Sequence, residues 1–236
     1  ARQSFARIVG VDADDVCVGA QVSQILGPVA VGLAGRRFLV PEPEFTSNLF
    51  PWLVTADVRT VPAALLAEHI GPDTEAVAFS LVQSADGAVA DYAAIVAAAR
   101  AHDALVIVDA TQACGWLPFD ASLADVVVVG AYKWLMSPRG SALAYLAPAV
   151  RERLTPYAAG WYAGEEVHGS YYGPPLRLAK TARRFDISPS WPAYVGTAPA
   201  LELIEEIGVA AIHDHNVALA NRFLTGFSGA VSTLGG

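Results

Sequence analysis

Lys133 is one of two lysines in a chain of 236 residues, the other being Lys180. It sits in Gly130-Ala131-Tyr132-Lys133-Trp134, directly after the apolar run Val126-Val127-Val128-Val129. A continuous apolar run bounded by turn residues is the pattern of a strand buried on both faces, so Lys133 is expected where a central strand ends. Open α/β sheets do their chemistry at that edge. Leu105-Val106-Ile107-Val108 is a second run of the same kind, and it delivers Asp109 to the same place. An ammonium and a carboxylate on neighbouring strand ends suit pyridoxal phosphate, with the lysine forming a Schiff base and the aspartate pairing with the pyridinium nitrogen. Burial at a strand end would also favour the neutral amine over the ammonium.

The elements that position this pair follow from the rest of the pattern. A short strand at 15–18 ends at Gly19, and the apolar segment 20–26 opens a helix. Gly19-Ala20-Gln21-Val22 would then hold free backbone N–H groups at a helix start, where partial positive charge accumulates and a phosphate is at home. Strands are predicted at 37–40, 58–61, 76–82 and 141–146. A helix is predicted at 46–53, another begins at Pro62, and a third is capped by Asp91 and runs to His102. This βα alternation predicts an α/β fold, a mainly parallel sheet with helices on both faces. After Pro148 the composition changes: residues 157–184 are rich in glycine and aromatic side chains and too long for a mere connection. Helical spacing returns at 191–207 and 209–227, with Gly208 as the stop between them. The expected organisation is a large domain over 1–200 and the beginning of a smaller one over 201–236. The start without Met and the end at Leu234-Gly235-Gly236 look like cut edges.

Composition narrows the function. With 54% hydrophobic and 16% charged residues the chain can build a sizeable core, and its formal net charge of −8 argues against a nucleic-acid footprint. The apolar stretch 25–34 contains Pro28 and is too short to span a bilayer, and Ala1-Arg2-Gln3-Ser4 do not form a signal peptide. Cys17 and Cys114 lie in apolar sequence without metal-ligand spacing, as reduced core residues of a cytoplasmic protein would. His213 and His215 are two positions apart on a polar helix and point in different directions, a poor start for a metal site.

The stretches Val108-Asp109-Ala110-Thr111-Gln112 and Gly130-Ala131-Tyr132-Lys133-Trp134-Leu135-Met136-Ser137-Pro138-Arg139-Gly140 together resemble the class V aminotransferase group of fold type I pyridoxal phosphate enzymes. That group also holds cysteine desulfurases, kynureninase-like hydrolases and isopenicillin N epimerase-like proteins, and the resemblance runs from about 16 to about 224. It implies the cofactor domain of such an enzyme, with the strand at 141–146 antiparallel, an amino-acid-like substrate, and a homodimer with sites near the subunit interface. Lys133 would hold the cofactor and then act as general base, while Asp109 keeps the pyridine nitrogen protonated. By the same resemblance Gln112 hydrogen-bonds the phenolic oxygen, Ser84 lies near that oxygen or the substrate, and Phe45 stacks on the ring, where cysteine desulfurases place a histidine. Ala20 and Gln21, with Tyr132, would serve the phosphate, although desulfurase-like members carry hydroxyls at the positions of Ala20, Gln21 and Gly130. Arg184, in Arg183-Arg184-Phe185-Asp186, matches an arginine that helps position a substrate carboxylate.

Two other readings stand beside this one. The missing hydroxyls at Ala20 and Gly130 suit a catalytically silent member that serves as a binding or assembly module. A nucleotide-binding α/β domain would place Asp109 on a ribose, but no G-x-G-x-x-G follows the first strand and Lys133 would be left without a role.

Overall fold

In the computed structural model, which describes residues 1–226, seven strands form a single sheet. They are β1 (Val16–Gly19), β2 (Arg37–Glu42), β3 (Asp57–Pro62), β4 (Ala76–Ser80), β5 (Leu105–Asp109), β6 (Val126–Gly130) and β7 (Ala142–Leu146). The helices are α1 (Arg2–Val9), α2 (Val22–Gly32), α3 (Thr46–Thr55), α4 (Leu66–His69), α5 (Tyr92–Ala101), α6 (Pro148–Arg151), α7 (Trp191–Ile207) and α8 (Val209–Gly226). The strand order is β1-β7-β6-β5-β4-β2-β3. Every neighbouring pair is parallel except those of β7, which runs antiparallel to both β6 and β1. β1 therefore points the same way as β6, and the ends of β1, β4, β5 and β6 share one edge with the start of β7.

The central strands read as unbroken apolar runs because both of their faces are covered. Val77, Phe79, Val106, Val108, Val127 and Val129 point into one core with Phe5 of α1, Ile95 of α5 and Leu201 of α7. Their alternates Ala76, Ala78, Ile107, Val126 and Val128 point into the other, with Leu26 and Val29 of α2 and Trp52 of α3. The two-residue period of a strand thus feeds two cores at once. β3 lies at the sheet edge, where only Val61 is buried.

Sequence and structure part company at a few places. α1 was not anticipated; its polar opening hides the buried set Phe5, Ala6 and Val9, and it ends at Gly10, whose φ of 77° suits a glycine and whose N–H reaches the Ala6 carbonyl. β4 stops at Ser80, beyond which Val82 forms only an isolated bridge with Val89. Pro62 closes β3 and is followed by the 3₁₀ turn Ala63–Leu65, so the helix expected to begin at Pro62 starts only at Leu66, as the short α4. The segment 157–184 carries 3₁₀ turns at Trp161–Ala163, Val167–Gly169 and Ala182–Phe185. Its aromatics pack on one another, Trp161 lying 5.2 Å from Tyr162 and Tyr162 lying 5.9 Å from Trp191 between ring centroids. Gly208, at φ 85°, separates α7 from α8 as expected. The predicted helix end at Phe227 and the terminal Leu234-Gly235-Gly236 lie outside the described residues.

Candidate active site at the sheet edge

Nearly all the sequence-selected site residues meet in one cavity of about 330 Å³. Its lining includes Ala20, Gln21, Phe45, Ser84, Asp109, Gln112, Tyr132 and Lys133. β1, β2, β4, β5 and β6 deliver them to the common edge, which is why residues so far apart in sequence converge.

Asp109, the last residue of β5, is 4% exposed. Its Oδ1 accepts a hydrogen bond of 2.9 Å from the Thr111 N–H. Burial pushes its carboxyl up to about 6; the Thr111 hydrogen bonds oppose that rise, and the charge of Glu44 adds to it. Glu44 is itself held at the strand ends, where it accepts from the Ser80 N–H at 2.7 Å, the Ser80 hydroxyl at 2.5 Å and the Phe45 N–H at 2.8 Å. Burial raises its carboxyl as well. Ser80 sits directly beside Asp109 in the β4–β5 register. The floor of the cavity is thus a buried carboxylate without a cationic partner among the described residues, the acceptor that a protonated ring nitrogen requires.

Lys133 follows β6 on a loop closed by main-chain bonds. The Ala131 N–H donates to Ser141 O at 3.0 Å, Ser137 N–H to Ala131 O at 3.1 Å and Met136 N–H to Lys133 O at 3.0 Å. Met136 accepts a φ of 52° to complete the turn, a left-handed conformation that is uncommon for a side chain of its size. α7 braces this loop and its neighbours. The Tyr194 hydroxyl lies 2.9 Å from Gly19 O and 2.8 Å from Ala142 O, sharing its one proton between the end of β1 and the start of β7. A Cβ at Gly196 would come within 2.8 Å of the Pro138 ring. The Lys133 side chain is exposed at the cavity, where the sequence pattern alone suggested burial. Its Nζ lies 5.6 Å from the centroid of the Tyr132 ring.

At the other end α2 begins with Gln21 as its cap residue, and no side chain caps it. The Ala20 N–H is taken by Gln24 Oε1 at 3.1 Å, whereas the first-turn amides after Gln21 have no side-chain cap, and Gln21 and Val22 line the cavity. Gly130 is crowded: its N–H donates to Thr111 Oγ1 at 2.9 Å, and a Cβ there would meet Tyr132 at 3.3 Å and Thr111 at 3.4 Å. A side chain at 130 would thus need the Tyr132 ring to give by a few tenths of an ångström. Phe45 is 50% exposed at the cavity, which rules out the ordinary core packing of a phenylalanine.

Arg184 does not join this group. Its guanidinium donates to Ala179 O and Lys180 O, both at 3.1 Å, and lies 3.7 Å from Glu152. Ser47, Ser80, Val82, Thr111, Arg139 and Gly140 line the cavity without having been singled out. Arg139 lies inside the quoted lysine motif, so its position was visible; what the sequence did not reveal is that the loop folds back far enough to return it to the cavity.

A seven-stranded, mostly parallel sheet with a lysine and a buried aspartate at one edge defines the class of protein, and the comparisons give it a family. The Aminotransferase class-V family matches residues 1–231, and the chain belongs to that family. An uncharacterized aminotransferase, YcbU, of Bacillus subtilis (strain 168) is 29% identical over 230 residues, 91% of this chain and 60% of the relative. The apo structure of a cysteine desulfurase from Thermococcus onnurineus NA1 superposes with a TM-score of 0.83 at 22% identity, covering 95% of this chain and 60% of that one. A mutant of the C–S lyase C-DES with glycine covalently linked to its PLP cofactor superposes with a TM-score of 0.77 at 25% identity, covering 94% of this chain and 63% of that one. The chain therefore spans about 60% of the length of these relatives.

Proposed function

We propose that this chain is the cofactor-binding part of a pyridoxal-phosphate-dependent enzyme that acts on an amino acid or a related amine. The observation that carries the reading is the presence of Lys133 and Asp109 in one cavity. When bound, pyridoxal phosphate supplies an electron-accepting ring that stabilises negative charge at a substrate α-carbon. Asp109 is the group that would hold the ring nitrogen, since its buried carboxylate gains most from a nearby positive charge. The Lys133 amine would hold the cofactor aldehyde and afterwards move a proton at the substrate carbon. Phe45 would cover the ring with an aromatic face, and because it cannot transfer a proton it turns the reading away from desulfurase chemistry. Gln112 and Ser84 would orient the phenolic oxygen; Gln21 and the amides that follow it would face the phosphate.

The reading extends to setting. The two cysteines are free and buried, in keeping with a cytoplasmic protein; among the described residues no helix is long and apolar enough to cross a membrane. The exposed side chains Tyr171, Tyr172 and Leu176 offer apolar surface for a homodimer contact. In the family reading, residues 1–200 form the large domain and 201–236 begin the small one.

The test is an absorption spectrum with added pyridoxal phosphate, before and after borohydride, on the protein and on Lys133→Ala. A visible band that reduction fixes onto the Lys133 peptide, and that the variant lacks, is the expected result. No band in either protein would overturn the reading in favour of a silent binding or assembly module.

A further inference from the structure

The cavity is electrically lopsided. Asp109 lies where β5 ends, with Glu44 held on Ser80 of β4 next to it, whereas Arg139 enters just ahead of β7, in a lining it shares with the uncapped start of α2. The register brings these groups together: Gly19 at the end of β1 and Gly130 at the end of β6 both pair with Ala142, two positions beyond Gly140. Arg139 therefore enters the cavity two strands away from Asp109 along the same edge.

The Arg139 guanidinium lies over the Tyr132 ring, its Cζ 4.5 Å from the centroid. A guanidinium held over an aromatic face keeps its N–H groups available for a planar or tetrahedral anion. No carboxylate or carbonyl occupies them among the described residues. Arg184, by contrast, has its guanidinium committed to two backbone carbonyls. A cation is thus free in the cavity that Ala20 also lines, where desulfurase-like relatives carry hydroxyls at the positions of Ala20 and Gly130 and this chain has none.

We propose that Arg139, stacked on Tyr132, is the cofactor-phosphate-binding arm of this site and takes the place of the missing hydroxyls. The inference rests on the pyridoxal phosphate reading and deepens it. Together with Asp109 it fixes the direction in which the cofactor lies: ring nitrogen toward β5, phosphate toward β7 and the start of α2. A guanidinium–phosphate contact is a charge-assisted pair, so its loss should weaken binding roughly 10- to 100-fold.

The experiment compares equilibrium binding of pyridoxal phosphate and of pyridoxal, which has the aldehyde but no phosphate, to the protein, Arg139→Met and Arg139→Lys. The expected result is that Arg139→Met loses affinity for pyridoxal phosphate by that factor, keeps its affinity for pyridoxal, and is partly rescued by Arg139→Lys. Equal loss for both aldehydes, or loss for neither, would overturn the assignment. So would unchanged binding of both with a lost preference for an amino acid over the corresponding amine, which would give the arm to a substrate carboxylate. If the unaltered protein took up neither aldehyde, the cofactor reading itself would fall, and the role of Arg139 with it.

Discussion

Two aspartates in this fold are almost equally buried, and burial drives both carboxyls up to about 6. Asp186 is matched by its surroundings: Oδ1 accepts from the Val18 N–H at 2.8 Å and Oδ2 pairs with Arg2 at 2.5 Å. It ties α1 and β1 to the turn Ala182–Phe185. Among the described residues Asp109 receives hydrogen bonds from Thr111 alone, through its N–H and its side chain, has no cationic partner and otherwise faces the cavity. Burial alone therefore does not distinguish a carboxylate that holds the fold from one that waits for a ligand; the missing counter-charge does.

The contrast can be broken most forcefully at Arg2. Arg2→Met strands a charged carboxylate in the interior, and we expect a loss of about 3 kcal/mol in urea unfolding at pH 8. The loss should shrink at pH 5, where Asp186 takes up a proton; an equal loss at both values would show that packing, not charge, is responsible.

Asp109→Asn should do the opposite. The folded carboxyl is raised above its unfolded value of 3.8, so the native protein carries the cost of burying this charge above about pH 6, and that cost vanishes below about pH 4. In protein stripped of cofactor the variant should be more stable at pH 8 by up to about 3 kcal/mol, with the advantage disappearing toward pH 4, while its affinity for pyridoxal phosphate falls. A variant that is less stable at pH 8 would place Asp109 with Asp186 among the structural carboxylates.

Glu44→Gln sharpens the picture by a smaller step. It removes one charge that raises Asp109 but retains an oxygen to accept from Ser80, so the Asp109 midpoint, followed by carboxyl-carbon NMR, should move down toward the ordinary carboxylate range. An unmoved midpoint would mean that burial alone sets it.

Much of this was legible in the sequence because the signals are local. Val126-Val127-Val128-Val129 ahead of Gly130 could only be a doubly buried strand, and Lys133 and Asp109 came to the sheet edge as strand ends do. Asp91 caps α5 as its type suggests, accepting from the Ala94 N–H at 3.0 Å. What escaped depends on long-range return. Arg139 needs the turn at Met136 to bring it back, and Glu44 needs Ser80 from another strand. α1 needs Asp186, most of the chain away, to receive Arg2. Arg184 sits in a motif that resembles the family's, yet nothing in its neighbourhood reveals that Ala179 and Lys180 will occupy its guanidinium.

The antiparallel placement of β7 has a consequence for how the protein is made. β1 emerges before the other six strands described, but its only strand partner among the described residues is β7, so Val16 must wait for Tyr145 before it joins the sheet. Until then one rim of the cavity, Gly19 to Gln21, has nothing to close against. Closing so long a loop is slow and leaves an edge open to wrong partners. The cavity is then among the last parts of this chain to take shape, and cofactor added during synthesis would find Asp109 in place before it found the start of α2.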